Sequence, residues 1–256
     1  MAPESPLASQ VVLVTGAGRN LGRTIAREAA AGGARVGVNV RSDAEAADRV
    51  VREVEQAGGT ALALIGDVGV EDEAIAVVDR CARELGPVTS VIHSAAYRSH
   101  GELVDLELAE WRRPRQVTLD AAFLLARATL PAMRAAGFGR FVFIGGSAMV
   151  NALPVGHGHV ATAKAALRGL VRAIAQEAGR DGITANVVSP GVIDTEARAS
   201  VVPTYGGWNP ADASALGRMV SMHEVASLCL HLCRPEGAIV TGQTINADGG
   251  TFGFGD

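Results

Sequence analysis

Short apolar runs alternate with longer amphipathic stretches along almost the whole chain. Val11–Thr15 is a β-branched run, and the glycine-containing stretch after it passes into a helical pattern reaching about Ala31. Arg35–Val40 reads as a strand and Ala44–Gln56, with its alternating charges, as a helix; 61–65 and 71–84 repeat the pair. The same pattern predicts strands over 88–93, 140–144, 184–188 and 244–246, and helices over 110–135, 160–178 and 224–233. Such alternation with short connections implies βαβ units, hence a doubly wound α/β domain of about seven parallel strands with helices on both faces.

Composition narrows this picture. A chain of 256 residues could form one large domain or two small ones, but its 31 glycines are spread rather than pooled in a linker, so a single domain over 1–256 is expected. Hydrophobic residues at 48% exclude disorder, and aromatics at 4% leave Ala, Val, Leu and Ile to build the core. The net charge of −4, with no basic block, argues against nucleic acid or anionic lipid as a partner. No stretch reaches the roughly 18 apolar residues of a membrane span. Residues 1–10 have neither a basic start nor an apolar run, so no secretory leader is expected and a cytoplasmic location follows. Cys81, Cys229 and Cys233 are too few for a disulfide framework. The last two, four apart in an apolar run, suit a buried helix face better than a metal site, and no metal is expected.

The first chemical signal is Thr15-Gly16-Ala17-Gly18-Arg19-Asn20-Leu21-Gly22, which follows the first strand and opens the first helix. Glycines there allow a tight turn and close approach of backbone to a pyrophosphate, while the N–H groups of the helix start face its oxygens.

This stretch resembles the fingerprint of the short-chain dehydrogenase/reductases, with Asn20 where that family usually has its middle glycine. Gly66-Asp67-Val68 resembles the family's adenine-contacting pair, and Ser189-Pro190-Gly191-Val192-Ile193-Asp194-Thr195 the loop that holds the nicotinamide carboxamide. Thr241-Gly242-Gln243 and Asp248-Gly249-Gly250 are similar to its closing strand. The resemblance covers nearly the whole chain and is nearest the 3-oxoacyl-carrier-protein-reductase-like subgroup. It implies a Rossmann-type fold, a nicotinamide dinucleotide, contacts from Ser94 and Ala95 at the end of the fourth strand, and protomers paired through the long helices as dimers or tetramers.

Charge argues for the phosphorylated cofactor. An NAD enzyme usually ends its second strand in an acidic residue for the ribose hydroxyl, whereas a 2′-phosphate needs a cation. Here Asn39-Val40-Arg41-Ser42 stands at that point, with Arg19 in the glycine-rich turn and no carboxylate before Asp43. The expected cofactor is NADP(H).

The catalytic set departs from the family. Its members use Ser, Tyr and Lys, often with Asn. Ser147 and Lys164 stand at the Ser and Lys positions, but the Tyr position is Val160, and the Asn position in the long helix is Thr118. The family's Asn-Asn-Ala-Gly is His93-Ser94-Ala95-Ala96 here. Valine cannot give a proton, and losing a positioned acid costs about 10²–10⁴-fold in rate. Three readings stay open. In one, another group donates: His159 or His157 in the loop before the Val160 helix, or Tyr97 or Tyr205. In the second, the chain is a cofactor-binding partner subunit of an active homologue. In the third, the pocket serves lyase, isomerase or cyclase chemistry without hydride transfer. A variable segment over 196–218, with Tyr205 and Trp208 among glycines and prolines, suits a lid over an apolar or ring-bearing small molecule.

Overall fold

The computed structural model describes residues 7–146, 155–193 and 210–251. Seven parallel strands form one sheet in the order β3-β2-β1-β4-β5-β6-β7. They are β1 (Val11–Thr15), β2 (Arg35–Val40), β3 (Thr60–Ile65), β4 (Ser90–His93), β5 (Gly139–Ile144), β6 (Ile183–Pro190) and β7 (Thr244–Ala247). Between them run α1 (Asn20–Ala31), α2 (Ala44–Gln56), α3 (Glu71–Leu85), α4 (Leu108–Arg115), α5 (Ala121–Ala136), α6 (Gly158–Ala178), the short α7 (Pro210–Ala213) and α8 (Met222–Cys233).

Successive side chains of a strand point to opposite faces, so each central strand contributes to two cores. Val12, Val14, Val36 and Val38 pack with Ile25 and Ala29 of α1, Val50 of α2 and Val225 of α8. Val11, Leu13, Val91 and Phe141 pack instead with Val77 of α3, Leu125 of α5 and Leu167 and Val171 of α6. Both faces are covered, as a parallel sheet requires. Cys81, Cys229 and Cys233 are free and buried in these layers. Among the described residues no helix is long and apolar enough to cross a membrane, and no cluster of His, Cys, Asp and Glu could hold a metal ion.

The sequence pattern predicts one uninterrupted helix over 110–135. The structure breaks it: α4 gives way to a π-helical turn, Gln116–Asp120, before α5 continues. Pro114, buried inside α4, removes a backbone donor from the turn just before this one. A π-turn replaces the regular i→i−4 ladder with i→i−5 bonds, as from Ala121 N to Gln116 O here. Thr118 lies in this turn and is buried.

The strand order reverses between β1 and β4, which places a crevice beyond their carboxyl ends. Registered neighbours Asn39, Thr15, His93 and Phe143 form a row across four strands at that end. They share the face that α3, α5 and α6 cover.

Candidate active site

The phosphate turn is held tight by its glycines. A Cβ on Gly16, whose φ is +65°, would stand 2.7 Å from the Ala95 backbone, and one on Gly22 would collide with the Gly16 carbonyl. Asn20 opens α1 with φ 46°, the only non-glycine positive φ among the described residues, and Asn is one of the few side chains that take this conformation readily. The turn therefore takes a left-handed residue here without a glycine. Ala17 N donates to Asn39 O at 3.0 Å and Ser94 N to Thr15 O at 3.2 Å, which ties the turn to β2 and β4. Leu21 is buried beneath it.

At the end of β2, Arg41 and Ser42 are exposed, as is Arg19 in the turn. The nearest carboxylate in sequence is committed elsewhere: Asp43 caps α2, its Oδ1 accepting from Ala46 N at 2.9 Å. Two guanidinium groups beside a phosphate turn, with no ion pair among the described residues, can hold a phosphorylated ribose. Asn39 is buried, its Nδ2 donating to Leu64 O and Gly66 O at 3.1 Å, and so fixes the adjoining edge. Beyond β3, Asp67 accepts from Gly69 N at 3.0 Å and from Arg113 Nη2 at 3.2 Å, while Val68 is buried. Sequence reasoning did not foresee Arg113, because its reach from α4 depends on how the helix packs.

On the far side of the crevice, Pro190 ends β6 and Gly191 N donates to Ala247 O at 3.2 Å. Ile193 pairs with Val220 in an isolated bridge. Thr195 and Asp194, Ser147, and Tyr205 and Trp208 lie outside the described residues.

The catalytic neighbourhood has two parts. In the inner part, Lys164 is 4% exposed and its Nζ donates to Ile144 O at 3.1 Å and to Gly145 O. Burial, and after it the charge of Arg98, pushes its ammonium down to about 7. Val160, one helical turn earlier, is 1% exposed and purely apolar. His93 is 1% exposed and held at both ring nitrogens, by Thr15 Oγ1 at 2.7 Å and Val117 O at 3.0 Å. Burial pushes its pKa down to about 4, so it stays neutral.

The outer part brings together three of the four candidate donors, Tyr205 lying outside the described residues. The 97–106 segment packs on the loop before α6 through Gly101 N to Gly156 O at 2.9 Å and an edge-on contact of the His100 and His157 rings, 5.4 Å apart. His159 is 1% exposed; its Nε2 shares a 2.9 Å hydrogen bond with Ser99 Oγ, and its Nδ1 has no partner among the described residues. Burial, then the neighbouring His157, lowers its pKa, while Glu110 acts the other way. His157 turns back on its own loop, Nδ1 lying 3.2 Å from Val155 O. Tyr97 gives its hydroxyl proton to Glu110 Oε2 at 3.2 Å. Of these three, His159 alone is both buried and left with a nitrogen that has no partner among the described residues.

A single sheet with a phosphate turn at its switch point and a lysine on the helix beyond β5 defines a nucleotide-binding oxidoreductase fold. The family model described as Enoyl-(Acyl carrier protein) reductase matches residues 16–251, and the chain belongs to the short-chain dehydrogenase/reductase family. It is 32% identical to 3-oxoacyl-(acyl-carrier-protein) reductase of Pseudomonas aeruginosa over 248 residues, covering 96% of this chain and 98% of that one. Among solved structures it is similar to the Brucella melitensis 3-oxoacyl-(acyl-carrier protein) reductase, with TM-score 0.90, 28% identity and 98% and 96% of the two chains covered. It is also similar to a gluconate 5-dehydrogenase from Burkholderia cenocepacia in complex with NADP and tartrate, with TM-score 0.88, 26% identity and 97% of each chain covered.

Proposed function

We propose that the protein is an NADP(H)-dependent carbonyl reductase or alcohol dehydrogenase in which His159 does the work of the missing family tyrosine. The observation that carries this reading is the preserved phosphate turn, with Asn20 in the left-handed conformation and Arg19 and Arg41 free of carboxylate partners among the described residues. A protein that had abandoned its cofactor would have no need to keep that tight turn. The NADP bound to the gluconate dehydrogenase agrees with it.

The bound nicotinamide would supply the hydride. The residues of this chain would do the rest. Thr15, Gly16, Asn20 and Gly22 shape the phosphate turn, Ser94 and Ala95 close its floor, and Pro190, Gly191 and Ile193 stand opposite, where the sequence also assigns Thr195 to the carboxamide. Ser147 would hold the substrate oxygen and Lys164 would orient the sugar and bias the local field. His159 would hold a proton on the ring nitrogen facing the substrate, with Ser99 fixing the ring. Its lowered pKa means that the protonated form is scarce at neutral pH, so reduction should speed up as the pH falls below about 6.5. His157 and Tyr97 are turned to Val155 and Glu110 and are the weaker candidates. The substrate is a small molecule, and the functional unit is a homo-oligomer.

Anaerobic incubation with NADPH and a panel of carbonyl compounds, followed by nicotinamide absorbance, tests the reading. Turnover by the wild type, cut about a hundredfold or more in His159→Ala with NADPH affinity held, supports it. Turnover indifferent to His159 removes the histidine from the mechanism. Product formed without any absorbance change would instead favour a pocket repurposed for lyase, isomerase or cyclase chemistry, to which the buried Val160 is also suited. Activity only with an active homologue present would mark a partner subunit.

A further inference from the structure

His93 joins the phosphate turn directly to the π-helical turn. Its partners define its protonation. Val117 O can only accept, so Nε2 carries the hydrogen; Nδ1 then accepts, and the Thr15 hydroxyl donates to it. The result is a directed chain, Thr15 Oγ1–H to the ring and the ring to the Val117 carbonyl. Thr15 is the first residue of the phosphate turn, and its Oγ1 also receives Ala95 N at 3.4 Å. Val117 sits in the π-helical turn, next to buried Thr118. The ring is further confined by Phe143, edge-on at 6.3 Å. A planar ring with both nitrogens bonded and no exposed surface transmits displacement rather than absorbing it.

We propose that His93 is a positioning residue that couples occupancy of the phosphate turn to the order of the π-helical turn carrying Thr118, on the substrate side of the crevice. Anything that fixes the Thr15 hydroxyl fixes the imidazole, and through it the Val117 carbonyl in the π-turn. The coupling requires an imidazole. Asparagine, the residue the family resemblance places here, can meet Thr15 but ends one ring width short of Val117. The inference rests on the cofactor reading given above.

Hydrogen–deuterium exchange of amides in 116–120, measured with and without saturating NADPH, tests it, alongside NADPH affinity from nicotinamide fluorescence. In the wild type NADPH should slow exchange there about tenfold, within the usual range of coupling between sites. His93→Asn should bind NADPH within about threefold of the wild type yet lose that protection. A residue with only a structural role would raise exchange equally with and without NADPH. His93→Gln, long enough to span part of the gap, should recover some of the effect and guards against a variant that merely folds poorly. Equal protection in wild type and His93→Asn, or NADPH binding without protection in the wild type, overturns the coupling while leaving the cofactor reading intact. Failure of the wild type to bind NADPH overturns both, and the fluorescence measurement separates the two cases.

Discussion

At the scale of the residue, two charges decide most of what the crevice can do. Arg41 is exposed at the end of β2, and the nearest acid in sequence, Asp43, is occupied in capping α2. A charge-assisted hydrogen bond is worth roughly 1.5–3 kcal/mol, less when solvent screens it. Arg41→Ala should therefore weaken NADPH by about tenfold while leaving NADH nearly unchanged, and calorimetry with both cofactors would detect it. Equal affinities for the two cofactors in the wild type would defeat the assignment. Lys164 carries the second charge. Its folded pKa, about 7, lies below the ordinary 10.5, so between these values the unfolded chain binds a proton that the folded one does not. Stability from this group therefore rises with pH across that window, and below about 7 the full burial penalty applies. Chemical denaturation of wild type and Lys164→Met at pH 7 and pH 10 should show the wild type gaining on the variant by a few kcal/mol, since stability climbs by about 1.4 kcal/mol for each pH step inside the window. No gain would mean that the ammonium reaches water.

At the scale of the element, legibility followed burial. Strands covered on both faces betray themselves as apolar runs, which is why β1, β2 and α2 begin and end where the pattern put them. The π-turn was illegible because the apolar spacing of 110–135 passes through it undisturbed. A helix that slips by one residue leaves no local mark beyond Pro114. His93 could be noted only as a departure from a resemblance, since nothing beside it in sequence tells that Thr15 and Val117 close on its ring. Arg98 and Glu110 were invisible for the same reason, acting on Lys164 and His159 across distant segments. The turn at Asn20 was the opposite case, because its side chain announces the backbone. Asn20→Gly should keep the melting temperature and NADPH affinity close to wild type. Asn20→Val must hold a β-branched residue at positive φ, at a cost of about 1–2 kcal/mol, and should lower both. Equal behaviour of the two variants in a thermal melt would show that the turn does not depend on that conformation.

At the scale of the whole molecule, the two cores explain the fold but leave one surface without an account. Leu108 and Trp111 on α4 and Phe123 on α5 are exposed, the last at 46%, on helices whose other faces are buried against the sheet and its neighbours. Single exposed apolar residues are ordinary, but all three lie on consecutive helices and water covers them at a cost. The family resemblance assigns pairing to the long helices, and an isologous contact there would bury Phe123 against its own copy. The Arg127 guanidinium over the Phe123 ring, 5.5 Å from its centre, offers a polar rim for such a contact. Placing a carboxylate there removes the apolar ring and forces the contact to desolvate a Glu–Arg127 ion pair, a cost that outweighs the pair's own attraction. Phe123→Glu should thus lower the mass measured by light scattering from that of a dimer or tetramer to that of a monomer of 26.3 kDa, with circular dichroism unchanged because the position is on the surface. An unchanged mass would place the contact elsewhere, and a monomeric wild type would remove the oligomer from the proposal.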